Sequence, residues 1–472
     1  MTDIILGVLH MCIFPGGLFA LAVGLLFKGL DRRVEARLQR RVGPPLIQPL
    51  LDIAKLLTKE TLIPKTAVRS VFLAAPVVGF AGMAVCAAFI PVPGVFSGLY
   101  NMGDLLVLFY LLPIPAIAIM LGGSASSSPF GAMGFSREML MMLAYETPLL
   151  MILLAVAMLV GKATGTGAEF SLLAIVDWQQ NAGSLGLNPV MIPALLAYLI
   201  FLPGTMGVPP FDIPEAETEV LEGPLLEYGG PLLALFQIGS ALKTFVVLGL
   251  GVALFFPGTI SDFWIVNLIW FVFKCLVLML LSLTLVKSAT GRFRPGVPLL
   301  CEGPHRPGSG EPGAGVGAVR RSGMSLDNML KKLSVRSPWL FRINAGSCNG
   351  CDVELATTAC IPRYDVERLG CRYCGSPRHA DIVLITGPLT TRVRDRVLAV
   401  WNEIPEPKIT VAVGICPISG GVFREGYSIE GPISRYIPVD VNVPGCPPRP
   451  QAILEGVVLA RKMWLKKLGI EE

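Results

Sequence analysis

Apolar runs of roughly 20 residues recur through the first 287 positions of the chain, each long enough, at 1.5 Å per residue, to cross a hydrocarbon layer about 30 Å thick as a helix. In that solvent the backbone must satisfy its own polar groups, which leaves only helices and closed barrels. An α-helical polytopic membrane bundle is therefore predicted, with about seven spans near 4–27, 70–92, 104–123, 139–161, 189–207, 231–256 and 263–286. Beyond residue 288 no such run occurs, charged residues become frequent, and short β-branched strands alternate with polar helical stretches. That pattern predicts an α/β domain.

Residues 28–65, after the first run, carry most of the Lys and Arg of the membrane half. Positively charged loops stay cytoplasmic, so the N-terminus is placed outside, the loops near 124–138 and 208–230 inside, and the seventh span delivers the rest of the chain to the cytoplasm. The first run ends in this basic stretch with no small-residue cleavage site, which reads as a span rather than a removable signal. The net charge of +5 is mild and localised, which argues against nucleic acid and leaves the bilayer as the surface served by the basic residues. Three regions follow: 1–287, a membrane domain; 288–335, a Gly/Pro-rich linker ending in an amphipathic helix marked by Leu326, Met329, Leu330 and Leu333; and 336–472, a cytoplasmic domain.

Glu146, Lys243 and Lys274 lie within spans, where an ion is costly and faces a partner or water. Each is a candidate for a proton pathway. The inward loop around 208–230 holds Asp212, Glu215, Glu217, Glu219, Glu222 and Glu227, while no Lys or Arg occurs between Lys162 and Lys243. On a helix begun by Pro214, Glu215, Glu219 and Glu222 share a face. Carboxylates that close repel one another and need cations. Arg37, Arg41, Lys55 and Lys59 of the first loop are expected to supply them, forming a charged lateral network that feeds protons into the bundle.

Of eleven cysteines, seven fall between 348 and 446, in a half placed in the reducing cytoplasm, where thiolate ligation is favoured over disulfides. Cys348 and Cys351 form a CxxC in a Gly/Asn-rich loop; Cys416 follows the strand-like "KITVAVGIC" and Cys446 follows "IPVDVNVPGCPP". Strands near 381–386, 409–414 and 438–443 in a parallel sheet would gather these loops at their carboxyl ends. Four converging thiolates suit a 4Fe-4S cluster or a structural zinc. One CxxC with two dispersed thiols favours the cluster. The second pair, Cys371 and Cys374, together with Cys360, reads as free thiols.

The stretches "GSCNGCDVEL", "YDVERLG", "GSPRHADIVLITGP", "GICPISGGVF" and "PVDVNVPGCPPRPQAILEG" resemble the small electron-transfer subunit shared by energy-converting membrane-bound nickel-iron hydrogenases and respiratory complex I. This resemblance implies a flavodoxin-like fold and one 4Fe-4S cluster on Cys348, Cys351, Cys416 and Cys446. The spaced cysteine pair and "RHAD" resemble the hydrogenase branch. "EARLQRRVGP", "QPLLDIAKLLTKE", "YETPL", "PPFDIPEAETE", "EYGG" and "GRFRP" are similar to the complex I core membrane subunit and its hydrogenase counterpart. By that resemblance Glu146, Asp212, Glu215, Glu217 and Lys274 match positions linked with proton coupling, and Arg37 and Asp52 match the first loop. The chain thus looks like a fusion of two subunits, with a linker where the family has an eighth span. The resemblance further implies a prokaryotic plasma membrane, and as partners a nickel-iron-type large subunit, a ferredoxin-like iron-sulfur subunit and antiporter-like membrane subunits, with the catalytic centre on a partner.

Overall fold

The computed structural model describes residues 14–96, 104–216, 221–290 and 331–469, apart from the single positions 15, 166 and 332. The chain divides into two compact units, one of residues 1–35, 66–225 and 235–295, the other of 36–65, 226–234 and 296–472. Two short pieces of the sequence-defined membrane half therefore fold with the α/β half.

The first unit is helical. It contains α1 (Gly17–Leu38, ending in the second unit), α3 (Arg69–Phe89), α4 (Leu105–Leu111), α5 (Ile114–Ala125), α6 (Pro129–Thr164), α7 (Leu172–Ala182), α8 (Ile192–Met206), α9 (Gly230–Phe255) and α10 (Trp264–Ala289). Six segments among the described residues are long and apolar enough to span a membrane, α4 and α5 counting as one. Residues 4–13 and 15 of the expected first span lie outside the described residues, and the rest is helical from Gly17. Its visible end continues as helix to Leu38, so the basic stretch begins as helix and not as loop. Likewise the expected inward loop at 124–138 is mostly the first turns of α6, 36 residues long; small and polar residues there hid a helix that outruns the hydrocarbon core. In its most apolar window α9 is 89% buried, against 39–50% for the other five, so it is the central helix. Gly24 of α1 crosses it so closely that a Cβ would stand 2.1 Å from the Ala241 carbonyl oxygen, the small-residue contact typical of membrane helices.

Part of the acidic loop departs from expectation. Residues 214–216 form a turn rather than the start of a helix, and 217–220, with Glu217 and Glu219, lie outside the described residues. The predicted amphipathic helix and linker fall almost wholly outside them as well.

The second unit is built on a parallel sheet of β1 (Trp339–Asn344), β2 (Arg372–Tyr373), β3 (Ile382–Thr386), β5 (Ile409–Val413) and β7 (Val441–Val443), in the order β2-β1-β3-β5-β7. Counted along the chain this is 2-1-3-4-5, the flavodoxin-like order. β4 (Leu389–Thr390) and β6 (Ile429–Gly431) make a small antiparallel pair. Alternation along β3 sends Ile382 and Leu384 into one core with α11 (Gly350–Cys360) and α14 (Pro450–Lys467), and Val383 and Ile385 into another with α12 (Arg394–Glu403). The helix α2 (Gln48–Thr58) belongs to this unit. Strands appear within the expected 381–386 and 409–414, while β7 covers only the last three residues of the expected 438–443; β1 and β2 are not predicted from the sequence.

Candidate metal centre

The four cysteines all lie beyond the carboxyl ends of parallel strands, where loops of such a sheet gather. Cys348 and Cys351 follow β1, Cys351 in the first turn of α11; Cys416 follows β5 in α13 (Ile415–Ser419); Cys446 follows β7. The loops are tied together by backbone. Gly414 N donates to Val443 O and Ile415 N to Gly445 O, each at 2.8 Å.

Side chains fix the β1 loop. Asn344 Oδ1 accepts from Gly346 N and Ser347 N at 2.9 and 2.8 Å, while its amide donates to Asp352 Oδ2 at 2.9 Å. Thr386 Oγ1 donates to the other Asp352 oxygen at 2.8 Å, so the residue after Cys351 is bolted to β1 and β3 at once. These supports were not singled out from the sequence; an Asn at a strand end followed by two glycines was the available sign. Glycines make the room. At Gly414, φ is +94° and a Cβ would stand 2.7 Å from Cys351 Sγ; at Gly421 it would stand 3.2 Å from Cys416 Sγ.

Cys351 and Cys416 are buried, Cys348 and Cys446 exposed. Burial first, then the Cys416 and Cys348 sulfurs, Asp352 and the Cys446 sulfur, together push the Cys351 thiol up to about 11. Cys416 is raised by burial and then by Cys446 and Cys348. Cys351 and Cys416 thus each feel the other cysteine sulfurs nearby, a repulsion that bound cationic iron or zinc would reverse. A lone zinc needs its sulfurs roughly 3.8 Å apart, from a Zn–S bond near 2.3 Å. Among the described residues no three Cys, His, Asp or Glu side chains are placed to hold one metal ion. As placed, the four thiols do not make a ready tetrahedral zinc site.

Among the described residues no disulfide joins two cysteines. Cys371 is buried and pushed up to about 12 by burial, and Cys374 Sγ faces the Leu340 and Ser376 carbonyl oxygens at 3.4 and 3.5 Å.

At the opposite, amino-terminal edge of the sheet, "RHAD" has its explanation. Arg378 Nε pairs with Glu227 at 2.8 Å, His379 Nε2 meets Tyr228 O at 2.7 Å, and Lys59 Nζ donates to His379 O and Ala380 O at 2.9 and 2.8 Å. Asp381 pairs with Lys55 at 2.9 Å and Lys59 at 2.6 Å. Arg41 pairs with Asp365 and Glu367, while Asp52 accepts from Gln48 Nε2 and Ser337 Oγ. Lys55, Lys59 and Arg41, expected to neutralise the acidic loop, are thus taken by carboxylates of the α/β unit. Charge counting located the cations but not their counterions. Arg37 is exposed.

In the helical unit Lys243 Nζ donates to Thr205 O at the end of α8 (2.5 Å), and Lys274 Nζ to Phe256 O and Gly258 O past the end of α9 (2.5 and 2.8 Å). Both lysines cap helix C-termini, where cations are favoured. Glu146 is on α6 and within electrostatic range of Lys243, as is Glu215. Asp212 is buried, and Glu222 sits in the turn that follows residue 220.

Residues 11–297 match the family model described as NADH dehydrogenase, and 348–460 that of the NADH ubiquinone oxidoreductase 20 kDa subunit. The chain belongs to the NADH dehydrogenase family. Its two matches occupy the two halves expected of a fusion, and the second covers all four cysteines. A probable membrane-bound hydrogenase subunit, mbhJ, of Pyrococcus furiosus is 55% identical over 139 residues, 29% of this chain and 83% of that protein. Formate hydrogenlyase subunit 7 of Escherichia coli is 42% identical over 141 residues, 30% of this chain and 54% of that protein. Among solved structures, an archaeal membrane-bound sulfane sulfur reductase matches with a TM-score of 0.55 and 28% identity, over 62% of this chain and 92% of that one. This NADH dehydrogenase family member is a multi-pass oxidoreductase subunit of the complex I-like group that holds membrane-bound hydrogenases and related respiratory complexes.

Proposed function

We propose that the chain is the electron-transfer and membrane-anchor subunit of an ion-translocating membrane-bound hydrogenase. The observation that carries this reading is the gathering of Cys348, Cys351, Cys416 and Cys446 at one sheet edge, in a domain that shares 55% identity with a membrane-bound hydrogenase subunit. These four thiolates would hold one 4Fe-4S cluster, which supplies single-electron transfer when bound. The protein's own contribution is to fix the thiolates through Asn344, Asp352 and Thr386 and to shield Cys351 and Cys416 from water. Around Cys416 the surface carries Val422, Phe423 and Tyr427, exposed by 87%, 47% and 103%, apolar side chains suited to a covering large subunit with a nickel-iron centre. A ferredoxin-like subunit and antiporter-like membrane subunits complete the assembly. The domain of residues 336–472 lies in the cytoplasm of a prokaryote with the N-terminus outside, as the charge bias of residues 28–65 requires.

Redox-linked proton or sodium movement would use ionisable groups of the bundle: Glu146, Asp212, Glu215, Glu217, Glu219, Glu222 and Lys243, with Lys274, Arg37 and Asp52 in supporting places. A second reading is a sulfane reductase subunit, favoured by the structural match to that complex. Metal analysis of the intact complex separates the two: about four irons per chain with nickel, and hydrogen evolution from a reduced ferredoxin, support the hydrogenase. Iron without nickel, with reduction of polysulfide, overturns it in favour of the second reading.

A further inference from the structure

The turn 361–369, between α11 and β2, and the first half of α14 enclose a surface cavity of about 450 Å³. Leu369, Leu454 and Val458 give it apolar lining, and Arg363 and Arg368 line it as well. Both arginines are exposed. The carboxylates nearest them in sequence are already engaged: Asp365 accepts from Val42 N and Gly43 N at 2.9 Å each, and Glu367 pairs with Arg41 at 2.9 Å. Across the cavity Gln451 Nε2 donates to Tyr364 Oη at 3.4 Å. Glu455, which also lines it, makes no ion pair with either arginine. Two forked guanidinium donors lining the same cavity as apolar side chains match an amphiphile whose polar end is a phosphate.

Chain connectivity says where such an amphiphile comes from. The 361–369 turn is bonded to residues 41–43, in the stretch that joins α1 to the membrane-length α3. That stretch exposes Val42, Ile47, Leu50 and Leu57 by 46%, 55%, 53% and 47% while its other face is buried. A helix with an exposed apolar face, tethered between membrane segments, lies in the plane of the interface. Groups bonded to it reach the depth of lipid headgroups, where clustered arginines attract anionic lipid.

We propose that this cavity holds the headgroup of an anionic phospholipid, with Arg363 and Arg368 on the phosphate, Leu369, Leu454 and Val458 along its apolar part, and Glu455 accepting from headgroup hydroxyls. None of the four cysteines lines this cavity. Bound lipid would hold the α/β unit to the membrane surface through a contact independent of any partner subunit.

The intact complex, delipidated in detergent, tests this by native mass spectrometry with phosphatidylglycerol and phosphatidylcholine as probes. The wild type should keep one phosphatidylglycerol that the double variant Arg363→Gln/Arg368→Gln binds about tenfold more weakly, the scale of losing charge-assisted contacts. Arg392→Gln, at an exposed arginine elsewhere, should behave as wild type, and the absorbance near 400 nm should be unchanged in every variant, which reports an intact fold. Arg363→Lys/Arg368→Lys should bind with intermediate strength, because the charge stays and the fork is lost. Equal retention by wild type and double variant overturns the proposal. So does displacement of the lipid by millimolar inorganic phosphate, which would mark a site for free anions, or cross-linking of the two arginine positions to an acidic segment of another subunit.

Discussion

Lys55 Nζ lies 2.9 Å from Asp381 Oδ2, with both side chains sealed from solvent and the lysine ammonium 3.8 Å from the centre of the Trp339 ring. Burial alone would raise Asp381; the two lysines override it and hold this carboxyl below the usual range. Removing one member of a buried pair strands the other, at a cost of about 3–5 kcal/mol. Asp381→Asn should therefore lower the thermal midpoint of the α/β unit sharply and free α2 to proteolysis, whereas Lys55→Met, beside Trp339, should cost less. Differential scanning calorimetry with limited trypsin digestion reads both.

The same pair sets a pH dependence. Burial, followed by Lys59, brings Lys55 down from 10.5 to about 8 despite Asp381. Between about pH 8 and 10.5 the unfolded chain keeps a proton on Lys55 that the folded chain has given up, so this residue makes stability rise with pH across that window. Comparing melting at pH 7.5 and pH 9.5 should show the increment in the wild type and its loss in Lys55→Met.

Cys416→Ser should abolish the electron paramagnetic resonance signal of the reduced protein and lower its iron content. Cys371→Ser and Cys374→Ser should leave both intact, since those thiols face a core and backbone carbonyls. An equal loss in all three variants would show that the second CxxC takes part in the centre.

Gly414→Ala should act like the loss of a ligand while changing none. Its positive φ penalises any side chain, and the added carbon would press on Cys351 Sγ. Iron and acid-labile sulfide per chain should fall at least several-fold with the far-ultraviolet circular dichroism preserved.

Gly24→Val tests the bundle. Filling the crossing of α1 and α9 forces the helices apart, on the order of 1–3 kcal/mol for overpacking. The variant should denature in detergent at a lower temperature, and an unchanged midpoint would deny the close approach.

Much of this was readable in advance. The apolar runs gave the spans because the bilayer accepts little else; Cys416 and Cys446 could be placed because each follows a strand-like run, and Cys348 and Cys351 drew notice as a CxxC in a Gly/Asn-rich loop. The extra turns of α6 were hidden, since helix length outside the hydrocarbon carries no hydropathy signal. β2, two residues long, is too short for a period. The partners of Lys55 and Lys59 were missed for a deeper reason. A lysine advertises that it needs an anion, but Asp381 and the acidic loop were equal candidates until the chain path chose between them.

The loop of Cys348 and Cys351 leaves the carboxyl end of β1, and the anchors Trp339 and Asp381 sit at the amino ends of β1 and β3. Strands of five or six residues make that separation roughly 17–20 Å. These strands act as a ruler. Related chains should tolerate insertions in the surface helices and turns far better than in β1 or β3, where one added residue would invert every side chain beyond it and shift the redox end against its footing.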